Sequence, residues 1–232
     1  MTPHAAPTEW RDADGKALTD YPRPSVAVDV AVLTVHAGQL HVLVVERPDD
    51  ALALPGSFLR PGERLADAAE RALRTKAGLV GTDFHQLAMF DSPERDARGW
   101  VLSMAHRATL RRDQLPTDAT LVRIDGRTAT ATMAFDHADM VSRAVDDLRA
   151  RYARRVDPSG LLANTFTVLE LRHLYETVFD RPLPKDSFRR LVIDAIQATG
   201  QMSSSGAGRP AELFCRGADA ELSAGAAGML TD

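Results

Sequence analysis

Two kinds of apolar patterning divide the 232-residue chain, and the change falls near residue 157. Val26 to Val35 is an almost continuous aliphatic run, which reads as a buried strand. A turn at Ala37-Gly38 and a second strand from Leu40 to Val45 follow. After a loop from Pro48 to Arg60, apolar residues recur as Leu65, Ala68, Ala69, Ala72 and Leu73, the spacing of an amphipathic helix. Further strands are expected over Gln86 to Phe90 and Trp100 to Leu110, and a helix after His137 turns Val141, Ala144, Val145 and Leu148 to one face. The pattern predicts a mixed α/β domain over residues 24–150. The Pro-, Asp- and Thr-rich residues 1–23 are expected to form an arm, and Asp157-Pro158-Ser159-Gly160 a linker.

Beyond the linker the periodicity becomes helical. Thr167-Val168-Leu169-Glu170 is a capping box, in which a hydroxyl and a carboxylate satisfy the free amides of a helix start. Leu171, Leu174, Tyr175, Val178 and Phe179 line that helix, and Asp180-Arg181-Pro182 stops it. A second helix is expected from Pro184 to Ala198, burying Phe188, Leu191, Val192, Ala195 and Ile196 and ending at Gly200. Short strands near Met202 and over Glu212 to Cys215 flank Ser203 to Pro210. Helix, tight turn, helix and hairpin make a winged helix-turn-helix over residues 160–216, followed by a featureless, mobile tail over 217–232.

On the second helix the buried stripe leaves Arg190 outward, with Ser187 and Arg189 on its flanks and Lys185 at its start. Arginine can read guanine bidentately in the major groove, while serine and lysine near the N-terminal end meet bases or phosphates. Arg209 projects from the glycine-framed hairpin as a wing residue would. An isolated Arg-Arg pair would be an ordinary solvated face. Followed by a wing, it makes double-stranded DNA the expected partner. Net charge is −4, which argues against nonspecific coating of a polyanion and for a specific, dimeric mode of binding. The lone Cys215 excludes an internal disulfide framework and no apolar run reaches membrane-spanning length, so a soluble cytoplasmic protein is expected, with no membrane partner.

Between Ser57 and Leu79 lie Glu63, Arg71, Leu73, Gly78 and Leu79 at fixed offsets, preceded by Leu54-Pro55-Gly56. This frame resembles the Nudix box, Gly-x5-Glu-x7-Arg-Glu-U-x-Glu-Glu-x-Gly-U, where U is aliphatic. Its last three acids fall here on Ala72, Thr75 and Lys76, and Ser57 stands at the first glycine. Those three positions are i, i+3 and i+4, so they share a helical face. A divalent cation needs hard oxygen ligands there. No catalytic residue and no metal ligand is therefore assigned, and no cofactor is expected. The three positions read instead as part of a binding pocket. Lys76 either pairs with a phosphate or extends to solvent. Arg47, Arg60, Arg95 and Arg98 are further candidate phosphate contacts, and Glu63 completes the candidate ligand set.

The two halves together resemble the NrtR-type Nudix-related transcriptional regulators over about residues 25 to 215. The resemblance is carried by Leu54 to Leu59, Gln86 to Phe90, Arg95-Asp96-Ala97-Arg98-Gly99, Phe135-Asp136-His137-Ala138-Asp139, Phe166 to Leu171, Ser187-Phe188-Arg189-Arg190 and Gly208-Arg209-Pro210-Ala211. It implies a Nudix-like α/β/α sandwich with a mixed sheet, followed by the winged helix. It further implies a homodimeric repressor that senses a nucleotide metabolite, typically ADP-ribose, and binds a palindromic operator near genes of NAD metabolism. Leu52, Ser57 and Ala97 depart from the tryptophan, glycine and proline usual in such proteins. Two alternatives stay open: a divergent hydrolase of nucleoside diphosphates with an accessory domain, and a regulator of this architecture tuned to a sugar or another small molecule.

Overall fold

The computed structural model describes residues 10–203, 210–217, 220–223 and 228–230. Its elements run β1 (Ser25–His36), β2 (Gln39–Leu43), β3 (Val45–Glu46), β4 (Leu52–Ala53), β5 (Gly56–Phe58), α1 (Leu65–Ala77), β6 (Phe84–Phe90) and β7 (Val101–Thr109). Then come β8 (Leu121–Asp125), β9 (Thr128–Ala129), α2 (His137–Tyr152), α3 (Val168–Phe179), α4 (Lys185–Val192), β10 (Ile196–Met202) and β11 (Glu212–Arg216). The main sheet has the order β6-β7-β1-β2-β8-β9, with β5 also pairing β1. β1 and β7 are parallel and the other pairs antiparallel, so the sheet is mixed.

The aliphatic run of β1 is buried on both faces because a helix covers each. On one side Val28, Val30 and Val32 pack with Ala68, Ala69 and Leu73 of α1. On the other, Ala31 and Leu33 join Met140, Val141, Ala144, Val145 and Leu148 of α2. That second core does not stop at the end of the sandwich. It continues without a break through Tyr152 and Val156 into Leu171, Tyr175, Val178 and Phe188 of the winged helix. α2 is thus common to both halves.

Three expectations need correction. The second helix of the winged unit ends at Val192, not near Ala198: a 3-10 turn over Ile193–Ala195 leads into β10, whose Ile196, Gln197 and Ala198 pair with Arg216, Cys215 and Phe214. The expected linker is tied down rather than free. The Asp157 carboxylate accepts from the Tyr152 hydroxyl at 2.6 Å and the Leu161 and Leu162 amides at 2.8 and 2.9 Å, and pairs with Arg216. The tail is not featureless either. Ala220 and Leu230 are buried in the shared core, and backbone bonds join Val156 to Ala220 and Leu222 to Arg154. Part of the arm, from Trp10 to Tyr21, folds locally around Asp12, which accepts from the Asp14 and Lys16 amides. No described helix is long and apolar enough to cross a membrane.

Candidate functional site: a cationic and aromatic cavity

The hydrolase-like frame is present as geometry. Arg71 of α1 donates to both oxygens of Glu63 at 2.7 Å, to Ser57 Oγ at 2.5 Å and to the Phe58 carbonyl at 2.9 Å. Arg71 beside Glu63 holds that carboxyl well below its usual range, at about 2. Glu63 also accepts from the Arg60 amide at 2.9 Å. These bonds brace the loop after β5 and commit the one box carboxylate to a structural ion pair.

The positions of the missing acids do not form a common pocket face, which corrects the reading from sequence. Ala72 is fully buried, on the stripe that packs α1 to the sheet. Thr75 is exposed and its hydroxyl donates to the Arg71 carbonyl at 2.7 Å. Only Lys76 reaches the cavity. An apolar methyl, a hydroxyl already used and a cation do not fit a divalent metal. Among the described residues no group of three or more His, Cys, Asp or Glu is placed to hold one.

The cavity itself, about 410 Å³, lies between the ends of β1, β5 and β7, the loop before β7 and the N-terminus of α2. It gathers four of the six expected residues, Arg47, Lys76, Arg95 and Arg98, whereas Arg60 and Glu63 lie outside it. A wider groove of about 830 Å³ near Arg107 and Arg151 contains none of the six. The four are not equivalent. Arg95, whose side chain is 4% exposed, is held by two bonds of 2.8 and 2.7 Å to Asp136, the N-cap residue of α2. The pair ties the loop before β7 to the start of α2. Arg98 binds the buried Asp96 through Nε and Nη2 at 2.9 and 2.7 Å, which holds the Asp96 carboxyl down at about 2.

Sequence reasoning missed the aromatic and buried polar partners. The Arg47 and Arg98 guanidiniums lie 4.7 and 5.1 Å from the Phe135 ring centre, and Arg98 lies 5.4 Å from that of Phe58. Cations and rings thus alternate along the cavity lining. Phe135 takes φ 55°, which a bulky side chain rarely adopts. Beneath it, His137 Nδ1 accepts from the Leu54 amide at 2.9 Å, so the ring's Nε2–H is the one that faces Asp29, 3.4 Å away. Burial pushes the Asp29 carboxyl up, but the hydrogen bonds from His137 and from Ser103 Oγ (2.6 Å) outweigh it and hold the group below the usual range. Gly56 is required here, because a Cβ on it would fall 1.8 Å from Asp29 Oδ1. A lone aspartate inside the β1 aliphatic run was the available signal for this network.

In the winged unit, Thr167 and Glu170 form the expected reciprocal cap, at 3.1 and 2.7 Å. α4 buries Phe188 and Val192 and leaves Lys185, Arg189 and Arg190 exposed with Ser187 half-buried. Arg209 lies outside the described residues.

A Nudix-type sandwich with a ligand-sized cavity, fused to a winged helix, defines the class: a DNA-binding regulator with an effector domain. Residues 158–215 match the model of the NrtR DNA-binding winged helix domain. Over 210 residues the chain is 30% identical to the ADPR responsive transcriptional repressor NtrR of Acinetobacter baylyi, covering 84% of this chain and 83% of that one. The crystal structure of Shewanella oneidensis NrtR complexed with a 27mer DNA superposes with TM-score 0.69 at 28% identity, covering 88% of this chain and 96% of that chain. An ADP-ribose pyrophosphatase of Methanocaldococcus jannaschii is 28% identical over 134 residues, 55% of this chain and 77% of that protein. The chain belongs to the NrtR family of ligand-responsive, DNA-binding transcriptional repressors.

Proposed function

We propose that this protein is a cytoplasmic homodimeric repressor whose Nudix domain binds ADP-ribose without hydrolysing it, and whose winged helices bind a palindromic operator near genes of NAD metabolism. The observation that carries the reading is the cavity. Arg47 and Arg98 lie against Phe135, Arg98 also against Phe58, and Lys76 lines the same cavity, a set suited to phosphates and a planar ring. The box positions that would hold a catalytic metal carry a buried methyl, a bonded hydroxyl and a cation. The relatives named above for ADP-ribose, a repressor and a pyrophosphatase, support the choice of effector.

DNA contact is assigned to Lys185, Ser187, Arg189 and Arg190 of α4, with Arg209, which the sequence leads one to expect in a wing. Effector binding acts on DNA through α2. Its first turn is fastened to the cavity by Asp136 and His137. Its last turn is fastened to α3, where Arg149 donates to the Val178 carbonyl at 2.8 Å and the Tyr175 hydroxyl donates to the Tyr152 carbonyl at 3.1 Å. A ligand that prefers one placement of α2 then shifts the population of DNA-competent dimers. A mobility shift on DNA from upstream of the gene and its neighbours tests this. ADP-ribose should change the affinity severalfold, and an unchanged affinity at saturating ligand removes it as effector. The enzyme reading, favoured by likeness to the pyrophosphatase, requires turnover with magnesium or manganese that Glu63→Gln abolishes.

A further inference from the structure

A second concavity, about 420 Å³, opens beside the effector cavity and shares Phe58, Arg98 and Val101 with it. Its outer wall is Trp100, 50% exposed. A half-exposed indole is a large apolar surface left to water. The backbone fixes it there. The Trp100 carbonyl accepts from the Ser25 amide at 3.0 Å, and Gly99 before it takes φ 146°, a conformation that side chains disfavour. The loop from Asp96 to Trp100 therefore delivers a guanidinium to the shared wall and an indole to the outer one. Asp96 occupies Nε and Nη2 of Arg98, leaving Nη1 for a ligand.

We propose that the two concavities hold a single elongated nucleoside diphosphate. The diphosphate lies on Arg98 at the shared wall. The base stacks on a shelf made by Trp100 and Phe58, and the other end enters the inner cavity beside Arg47 and Lys76. The assignment rests on the nucleotide-effector reading above and adds a base subsite to it. A diphosphate with a group at each end needs a cation at its middle and room on both sides, and Arg98 is the cation common to both spaces. Stacking on an indole rewards any flat base and does nothing for a free sugar phosphate.

The chain has two tryptophans, so Trp10→Phe leaves Trp100 as the sole reporter. Titration of that full-length variant with ADP-ribose should quench its emission with the dissociation constant that calorimetry gives for the unaltered chain. Trp100→Ala should weaken ADP-ribose by roughly tenfold or more, while Trp100→Phe keeps most of the affinity. Ribose 5-phosphate, which has no base, should bind the unaltered chain and Trp100→Ala alike. Calorimetric binding of ADP-ribose with silent Trp100 emission and undiminished Trp100→Ala affinity would overturn the shelf and leave the effector reading standing. No heat and no quench from ADP-ribose overturns the effector reading, and the shelf with it.

Discussion

Helix α1 and the first turn of α2 border the same cavity with opposite chemistry. Along α1 the positions of the Nudix acids carry no carboxylate: Ala72 is absorbed into the core and Lys76 alone of the three reaches the cavity. At the start of α2, three consecutive residues are committed to it. Phe135 meets the guanidiniums of Arg47 and Arg98, Asp136 holds Arg95, and His137 ties the Leu54 amide to Asp29. α1 packs Ala68, Ala69 and Leu73 against the sheet. The helix that reaches the winged unit carries the contacts. Such an arrangement supports the proposed role of a sensor that reports occupancy.

The contrast can be broken from either side. Arg95→Ala leaves Asp136 unpaired in a nearly closed site and should cost about 3–5 kcal/mol in denaturant unfolding. It should also uncouple ADP-ribose from DNA affinity in whatever fraction stays folded. A cost under about 1 kcal/mol would mean that the pair is ornamental. Ala72→Glu, which restores a box acid, should destabilise by about 2 kcal/mol or more, because it places a carboxylate in a dry core. Magnesium-dependent hydrolysis with native stability in that variant would show that α1 keeps its catalytic design. Arg47→Ala should weaken ADP-ribose by about tenfold and leave unfolding within roughly 1 kcal/mol of the unaltered chain, since its partner Asp49 is exposed and Arg47 itself half-buried.

The smallest effect is one of pH. His106 is buried on the α1 side of β7, where burial lowers its pKa and its Nε2 has no partner. The unfolded chain takes up the proton near pH 6.5 while the folded chain does not, so stability is full above that pH and declines below it. Replacement of His106 by Gln should flatten the decline in urea midpoint between pH 7 and pH 5.5. An equally steep decline in the variant assigns the dependence elsewhere.

Legibility from sequence followed the range of the interactions. The cap of α3 is set within four residues, and Thr167 and Glu170 announced it. β1 was legible because both of its faces are apolar. The end of α4 was not, since Ala195 and Ile196 extend a helical stripe and only pairing with the distant β11 turns that stretch into a strand. Asp157 reads as part of a linker until Tyr152 and Arg216 are seen to converge on it. In the cavity, the arginines were legible as charges, but not which would be spent. Asp136, 41 residues along the chain, pairs with Arg95 at the cavity wall. Ala72 was misassigned to the pocket because sharing a helical face with Lys76 does not say how deep that face lies.

In the proposed sensor the occupant is read and kept. Anisotropy of a labelled operator at fixed protein concentration, followed over hours after one addition of ADP-ribose with magnesium present, tests it most directly. A step that holds steady is the predicted result. A response that relaxes to its starting value as ADP-ribose is consumed, or no response at all, contradicts it.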